Sequence, residues 1–239
     1  MTDTDTDSTL GSGAMFDAIA PRYDLVNRVL SLGLDTSWRR RTVDALLLGE
    51  APHVLDVATG TGDLAIEIAR RHPRARVIGI DPSPKMLHVA AHKLERRGYA
   101  DRVTLVEGDA QALPFASCEL DAATMAFGIR NVVDRDLALR ELARVVRPGG
   151  RIAVLELGEP RRGFLGAAAR FHSHVLVPRI GGLLSGAREY AYLQKSVAAF
   201  PPAAEFADQM RRAGLTVIAV EPMTFGVCTL YVATPKEDM

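Results

Sequence analysis

The apolar positions of this chain follow two rhythms. From Met15 to Leu48 they recur at helical spacing through Leu25, Val29, Leu30, Val43, Leu46 and Leu47. Pro21 and Gly33 interrupt that pattern, which predicts two or three short helices rather than one. After Pro52, short apolar runs alternate with helical stretches. Strands are expected at about Val54 to Val57, Arg76 to Ile80, Val103 to Val106, Leu120 to Ala126, Arg151 to Leu157, Leu215 to Val220 and Val227 to Ala233. Asp63, Ser83 (with Pro84 next) and Asp134 precede helical runs and can cap their orphan amides. Gly98 and Gly214 read as helix stops, and Arg147-Pro148-Gly149-Gly150 as a turn. Such alternation predicts an α/β fold, a mostly parallel sheet with helices on both faces and a last strand returning antiparallel. Ligands of such sheets gather at the carboxyl ends of the strands.

Two stretches depart from this pattern. Residues 1–13 alternate Thr and Asp and are expected to be a disordered tail. Residues 14–239 then form a single domain, with N-terminal helices over 15–50 and an inserted helical lid at about 159–200. From Pro160 to Arg188 there is no acidic residue, while Arg161, Arg162, Arg170, Arg179 and Arg188 lie among Phe164, Leu165, Phe171, Val175, Leu176 and Val177. That segment fits a lid with its arginines in solvent, or a cover for a greasy substrate at a membrane surface. Arg39, Arg40 and Arg41 after Trp38 read as a solvated helix face.

Composition narrows the class. With 239 residues, 48% of them hydrophobic, and zero formal net charge, the chain reads as globular, with no general affinity for nucleic acid. Cys118 and Cys228 are too few for a zinc site and are expected as buried, reduced thiols. No apolar run approaches the roughly 18 residues of a membrane span. The N-terminus lacks the basic and apolar regions of a signal peptide, so a cytoplasmic protein is expected.

The candidate chemistry centres on Val54 to Asp63. Gly60-x-Gly62-x-x-Ala65 satisfies the loose dinucleotide fingerprint, which alone leaves a nicotinamide-dependent oxidoreductase open. Asp56 inside the strand and Asp63 past the glycines would repel a pyrophosphate and suit a cation. Asp81 can accept two ribose hydroxyls in charge-assisted bonds, or merely cap a helix before Pro82. In Gly108-Asp109-Ala110, an acid can accept the exocyclic amine of adenine. Acids at four strand ends suit a cationic nucleoside such as S-adenosylmethionine. An NAD-dependent enzyme, or a nucleoside-binding protein without catalysis, remains the alternative.

These residues resemble a class I S-adenosylmethionine-dependent methyltransferase, and more closely the C-methyltransferases of menaquinone and ubiquinone biosynthesis. Met15-Phe16-Asp17-x-Ile19-Ala20-x-x-Tyr23-Asp24-x-x-Asn27 is similar to that family's N-terminal signature. Ala110 to Phe115, Phe127-Gly128-Ile129-Arg130-Asn131 and Arg147 to Arg151 resemble its central blocks. Pro178 to Gly181, Tyr192-Leu193-x-x-Ser196 and Phe200-Pro201 resemble its C-terminal half. Ala126 stands where many members carry serine, Arg188-Glu189 replaces an Asp-Ser pair, and Tyr231 sits where histidine is common.

The resemblance implies a Rossmann-like, seven-stranded, mostly parallel sheet and methylation of a ring carbon of demethylmenaquinol to give menaquinol. The ubiquinone precursor 2-methoxy-6-polyprenyl-1,4-benzoquinol is the alternative acceptor. Donor contacts are expected from Asp56, Gly60, Thr61, Gly62, Asp63, Asp81, Asp109 and Ala110. Arg130 would stabilise the phenolate that makes the ring carbon nucleophilic, with Asn131 orienting the substrate. The competing reading of Arg130 is a structural ion pair with a helix acid. Tyr23, Asp24, Asn27 and Tyr192 are expected on the substrate side. His172 and His174 are candidate bases or ordinary lid residues. No metal is needed. A prenylated quinol partner implies peripheral contact with the inner face of the membrane, and homodimerisation is left open.

Overall fold

Seven strands form one sheet in the order β3-β2-β1-β4-β5-β7-β6. The structure, a computed structural model, describes residues 17, 20, 23–158 and 187–236. The expected tail, residues 159–186 of the lid with His172 and His174, and the Pro178 to Gly181 block lie outside the described residues. Strands β1 (His53–Val57), β2 (Arg76–Asp81), β3 (Val103–Glu107), β4 (Leu120–Ala126) and β5 (Val146–Leu157) run parallel. β7 (Cys228–Pro235) lies antiparallel between β5 and β6 (Leu215–Met223).

The central strands are buried on both faces, which is why they read as nearly unbroken apolar runs. The two-residue period divides them: Leu55 and Val57 pack into one apolar cluster with Ile129, Leu139 and Phe206, while Val54 packs into a second with Trp38, Ile68 and Leu94. The described helices are α1 (Tyr23–Leu30), α2 (Asp35–Ala45), α3 (Asp63–Arg71), α4 (Pro84–Arg97), α5 (Arg135–Val145), α6 (Ala187–Ala198) and α7 (Ala203–Arg212). Local chemistry sets several of their ends. The Ser83 hydroxyl accepts the Met86 N–H, Asp134 accepts the Leu137 N–H, and Gly98 ends α4 at φ 72°.

Four expectations change. Asp63 is not a cap: Gly62 takes that position at φ 80°, and α3 begins at Asp63 itself. Residues 147–150 do not end a segment before β5. They bulge within it, so that Leu120 pairs with Val146 and Ala122 with Arg151. Arg39 is not solvated: its guanidinium lies over the Phe127 ring at 5.3 Å, 3.8 Å from the Asp35 carboxylate. Cys118 is exposed, whereas Cys228 is buried as expected.

β1 stands between β2 and β4, so the order of strands reverses there. The carboxyl ends of these strands splay around a crevice, the position such sheets offer to a ligand.

Candidate active site

A cavity of about 330 Å³ opens at that reversal, large enough for a nucleoside-sized ligand. Asp81 and Asp109 line it, with Gly60, Met86, Phe127 and Asn131, and its described lining holds no lysine or arginine. The backbone bends sharply around it. Ala58 and Phe127 adopt left-handed φ of 52° and 59°, and a Cβ on Gly128 would lie 2.5 Å from the Ala58 Cβ. The two walls therefore approach as closely as a glycine permits.

Asp81 ends β2 with both carboxylate oxygens engaged by backbone. Oδ2 accepts the Gly60 N–H at 2.8 Å and Oδ1 the Ser83 N–H at 2.9 Å. Burial pushes its pKa above the ordinary carboxylate value, against the pull of those two amides. A buried acid of this kind gains from further hydroxyl donors. Asp109 is held by Gln111, whose Nε2 lies 3.0 Å from each carboxylate oxygen. The Gln111 Oε1 accepts the Asp134 N–H, tying the Asp109 loop to the start of α5.

The other two strand-end acids are not among the lining residues. Asp56 lies beneath the glycine loop, accepting the Thr59 hydroxyl at 2.6 Å and the Thr124 hydroxyl at 2.8 Å. Burial pushes its pKa up to about 6. Asp63 faces Lys93, with Oδ1 2.6 Å from the ammonium. Burial opposes its charge, but Lys93 prevails and its pKa is lowered. These carboxylates hold the loop rather than charge the cavity, so the expected four-acid seat reduces to Asp81 and Asp109.

Arg130 is not among the residues that line the cavity; it sits between the lining residues Gly128 and Asn131 in a short 3₁₀ turn over Ile129–Asn131. Its Nη1 donates to Phe127 O at 2.5 Å and to Glu156 Oε1 at 2.7 Å. The Glu156 side chain is fully buried and also accepts the Arg130 and Leu157 backbone N–H groups. Burial works against the guanidinium charge, but Glu156 outweighs it and holds the pKa above its ordinary value. The acid that pairs with Arg130 thus comes from a strand end, not from a helix. The Arg130 Nε is buried and has no acceptor among the described residues. Asn131 lines the cavity and accepts the Tyr192 hydroxyl from α6 at 3.0 Å.

Residues 3–235 match the model of the ubiE/COQ5 methyltransferase family. The chain belongs to that family. It is 48% identical over 219 residues to "Demethylmenaquinone methyltransferase" of Thermus thermophilus, covering 91% of this chain and 98% of that protein. It is 46% identical over 217 residues to "Ubiquinone/menaquinone biosynthesis C-methyltransferase UbiE" of Syntrophotalea carbinolica, covering 91% of each. Among solved structures, the [4+2]-cyclase SpnF superposes with a TM-score of 0.71 at 18% identity, covering 94% of this chain and 95% of that one. That likeness shows the fold alone, since one sheet architecture hosts unrelated chemistries.

The expected positions of the family divide on this geometry. Gly60, Asp81, Asp109, Ala110, Asn131 and Tyr23 line the cavity. Thr61 turns its hydroxyl away, to Asp24 at 2.5 Å, and Gly62 serves as the cap of α3. Asp24 contacts Lys93, and Asn27 is half-buried on α1. Glu156, Lys93 and Gln111 join the site through partners distant in sequence. Glu156 carried one usable signal: it is the single charged residue in the apolar run Ile152 to Leu157, at the carboxyl end of its strand, as Asp56 and Asp81 are of theirs.

Proposed function

We propose that this chain methylates a ring carbon of demethylmenaquinol, giving menaquinol, with S-adenosylmethionine as methyl donor. One observation carries the reading: a chain of this family has a strand-end cavity whose charged lining residues are Asp81 and Asp109. Two carboxylates, with no lysine or arginine among the described lining residues, favour a cationic nucleoside and disfavour the pyrophosphate of a nicotinamide cofactor. Asp81 fits the ribose hydroxyls as acceptor, and Asp109 fits the exocyclic amine of adenine. Ala58, Gly60 and Phe127 fit the remaining end, where the close backbone walls leave room for a slender chain. When bound, the donor supplies a methyl group already activated by its sulfonium.

The residues of the chain then have to align the acceptor and manage its phenolic proton. Arg130 adjoins the lining residue Asn131 and has one N–H without an acceptor among the described residues, which supports a role in stabilising the phenolate through an ordered water, while Glu156 and Phe127 O keep the guanidinium in place. Asn131, braced by Tyr192, supports an orienting role. Leu25, Val133 and Phe225 are exposed around this end of the sheet. Together with the basic, apolar stretch from Pro160 to Arg188, they support peripheral contact with a membrane that holds the prenylated quinol. No described helix is long and apolar enough to cross a membrane.

The test supplies purified protein with methyl-labelled S-adenosylmethionine and either demethylmenaquinol or 2-methoxy-6-polyprenyl-1,4-benzoquinol. Label on the naphthoquinol ring is expected. Donor binding without transfer to either quinol would leave a binding protein, and tight NAD binding without donor binding would overturn the assignment. Flotation with anionic liposomes tests the membrane contact, and absence of co-flotation would count against it.

A further inference from the structure

Lys93 is a lysine in the body of α4 whose side chain is only 8% exposed. A buried ammonium without partners is costly enough that it loses its proton or its place. Here every one of its three N–H donors has an acceptor, and each acceptor comes from a different segment. Asp24 Oδ2 of α1 and Asp63 Oδ1 of α3 each lie 2.6 Å from Nζ. Thr61 Oγ1 of the glycine loop lies at 3.2 Å and itself donates a hydrogen bond to Asp24 Oδ1. The ammonium is saturated, so it has no donor left for a ligand.

We infer that Lys93 is a positioning residue that ties α1 to the glycine loop, and that this tie sets how long the methyl donor stays bound. The retention part rests on the donor reading proposed above. Thr61 precedes the cap of α3 and follows Gly60, which lines the cavity and donates its N–H to Asp81. On the other side of the tie, Tyr23, the neighbour of Asp24, forms part of the cavity wall. Among the described elements, α1 makes few close backbone approaches to any other. Its side-chain link through Asp24 joins it to the glycine loop beside the crevice.

The two limbs of the tie are unequal. Asp63 is 17% exposed at its side chain, and Asp24 39%. Water can replace Asp24 on the ammonium more readily than it can replace Asp63, because the buried limb has the higher cost of rehydration. Opening therefore breaks the α1 limb and leaves Lys93 seated against Asp63. A ligand behind Tyr23 leaves when that limb opens.

The test compares the full chain with Asp24→Asn, which weakens the α1 limb while keeping its shape and the Lys93–Asp63 pair. S-adenosylmethionine is the probe. Its dissociation rate is read by rapid mixing, and opening of Tyr23–Leu30 by amide hydrogen exchange. Donor dissociation about tenfold faster is expected, the size of one lost charge-assisted bond, with faster exchange confined to α1. Unchanged exchange would overturn the tie. Faster exchange with an unchanged dissociation rate would overturn donor retention. A full chain that binds no S-adenosylmethionine would defeat the donor reading and retention with it, and exchange alone would then judge the tie. Thermal unfolding guards against a general loss of fold: a destabilised Asp24→Asn chain with exchange raised throughout would assign Lys93 a purely structural role and overturn the inference.

Discussion

The Arg130 guanidinium lies 2.7 Å from the Glu156 carboxylate, 7% and 0% exposed at their side chains. Removing one partner strands the other's charge where water cannot reach it. Glu156→Gln should therefore cost about 3–5 kcal/mol of unfolding free energy, measured by urea titration. Combining it with Arg130→Met removes the stranded charge and should restore much of that stability while turnover stays lost. A double variant no more stable than Glu156→Gln would refute the ion-pair account.

Asp81 is expected to grip the donor ribose, so Asp81→Asn should weaken S-adenosylmethionine binding by about 1–3 kcal/mol, roughly 5- to 150-fold. Calorimetry would measure it. An unchanged dissociation constant would remove Asp81 from the donor site. The variant also swaps one oxygen facing the Gly60 or Ser83 amide for a donor, so hydrogen exchange at the glycine loop should rise.

The buried Asp56 carboxyl makes stability depend on pH in a predictable sense. Its pKa is raised from 3.8 to about 6 on folding. Between those values only the folded chain holds this proton, so raising the pH through the window lowers stability. Above pH 6 the loss is complete, on the order of 3 kcal/mol. The gap in unfolding free energy between Asp56→Asn and the parent chain should widen from pH 4 to about 6.5, then level off. A gap that does not vary with pH would contradict the burial of a titrating group there.

Gly128→Ala places a methyl 2.5 Å from the Ala58 Cβ and 3.0 Å from the Met125 Cε. The walls must part, and about 1–3 kcal/mol of stability should go with them. Donor affinity should fall as well, because Ala58, Met125 and Gly128 all line the cavity. Full retention of affinity would mean that the donor sits clear of this wall.

Features written in neighbouring residues were legible from sequence. Ser83 before Pro84, Asp134 before its helix and Gly98 after α4 act over three or four residues, and each works as read. The apolar runs gave the strands because burial on both faces demands them. Partners distant in sequence were not legible. Nothing near Lys93 announces Asp24, 69 residues away, and a lysine on a polar helix stretch reads as solvated. Arg39 was misread the same way, since its partner surface is the Phe127 ring of another segment. The sequence shows where the glycine-loop acids fall along the chain, but side-chain direction follows from what packs against them. That is why Asp56 and Asp63 turned out to brace the loop.

Trp38 is the one tryptophan in the chain, and it is buried. Its indole N–H donates to the Thr224 hydroxyl, and its ring meets Phe127 edge-on at 6.3 Å. Phe127 is in turn a wall of the cavity. The protein thus carries its own optical gauge: a single indole, excited selectively over the five tyrosines at the red edge of absorption, shielded from solvent and one aromatic ring away from the cavity. Filling or emptying of the site can be followed by intrinsic fluorescence, without a label and without a substrate that must be coaxed into water.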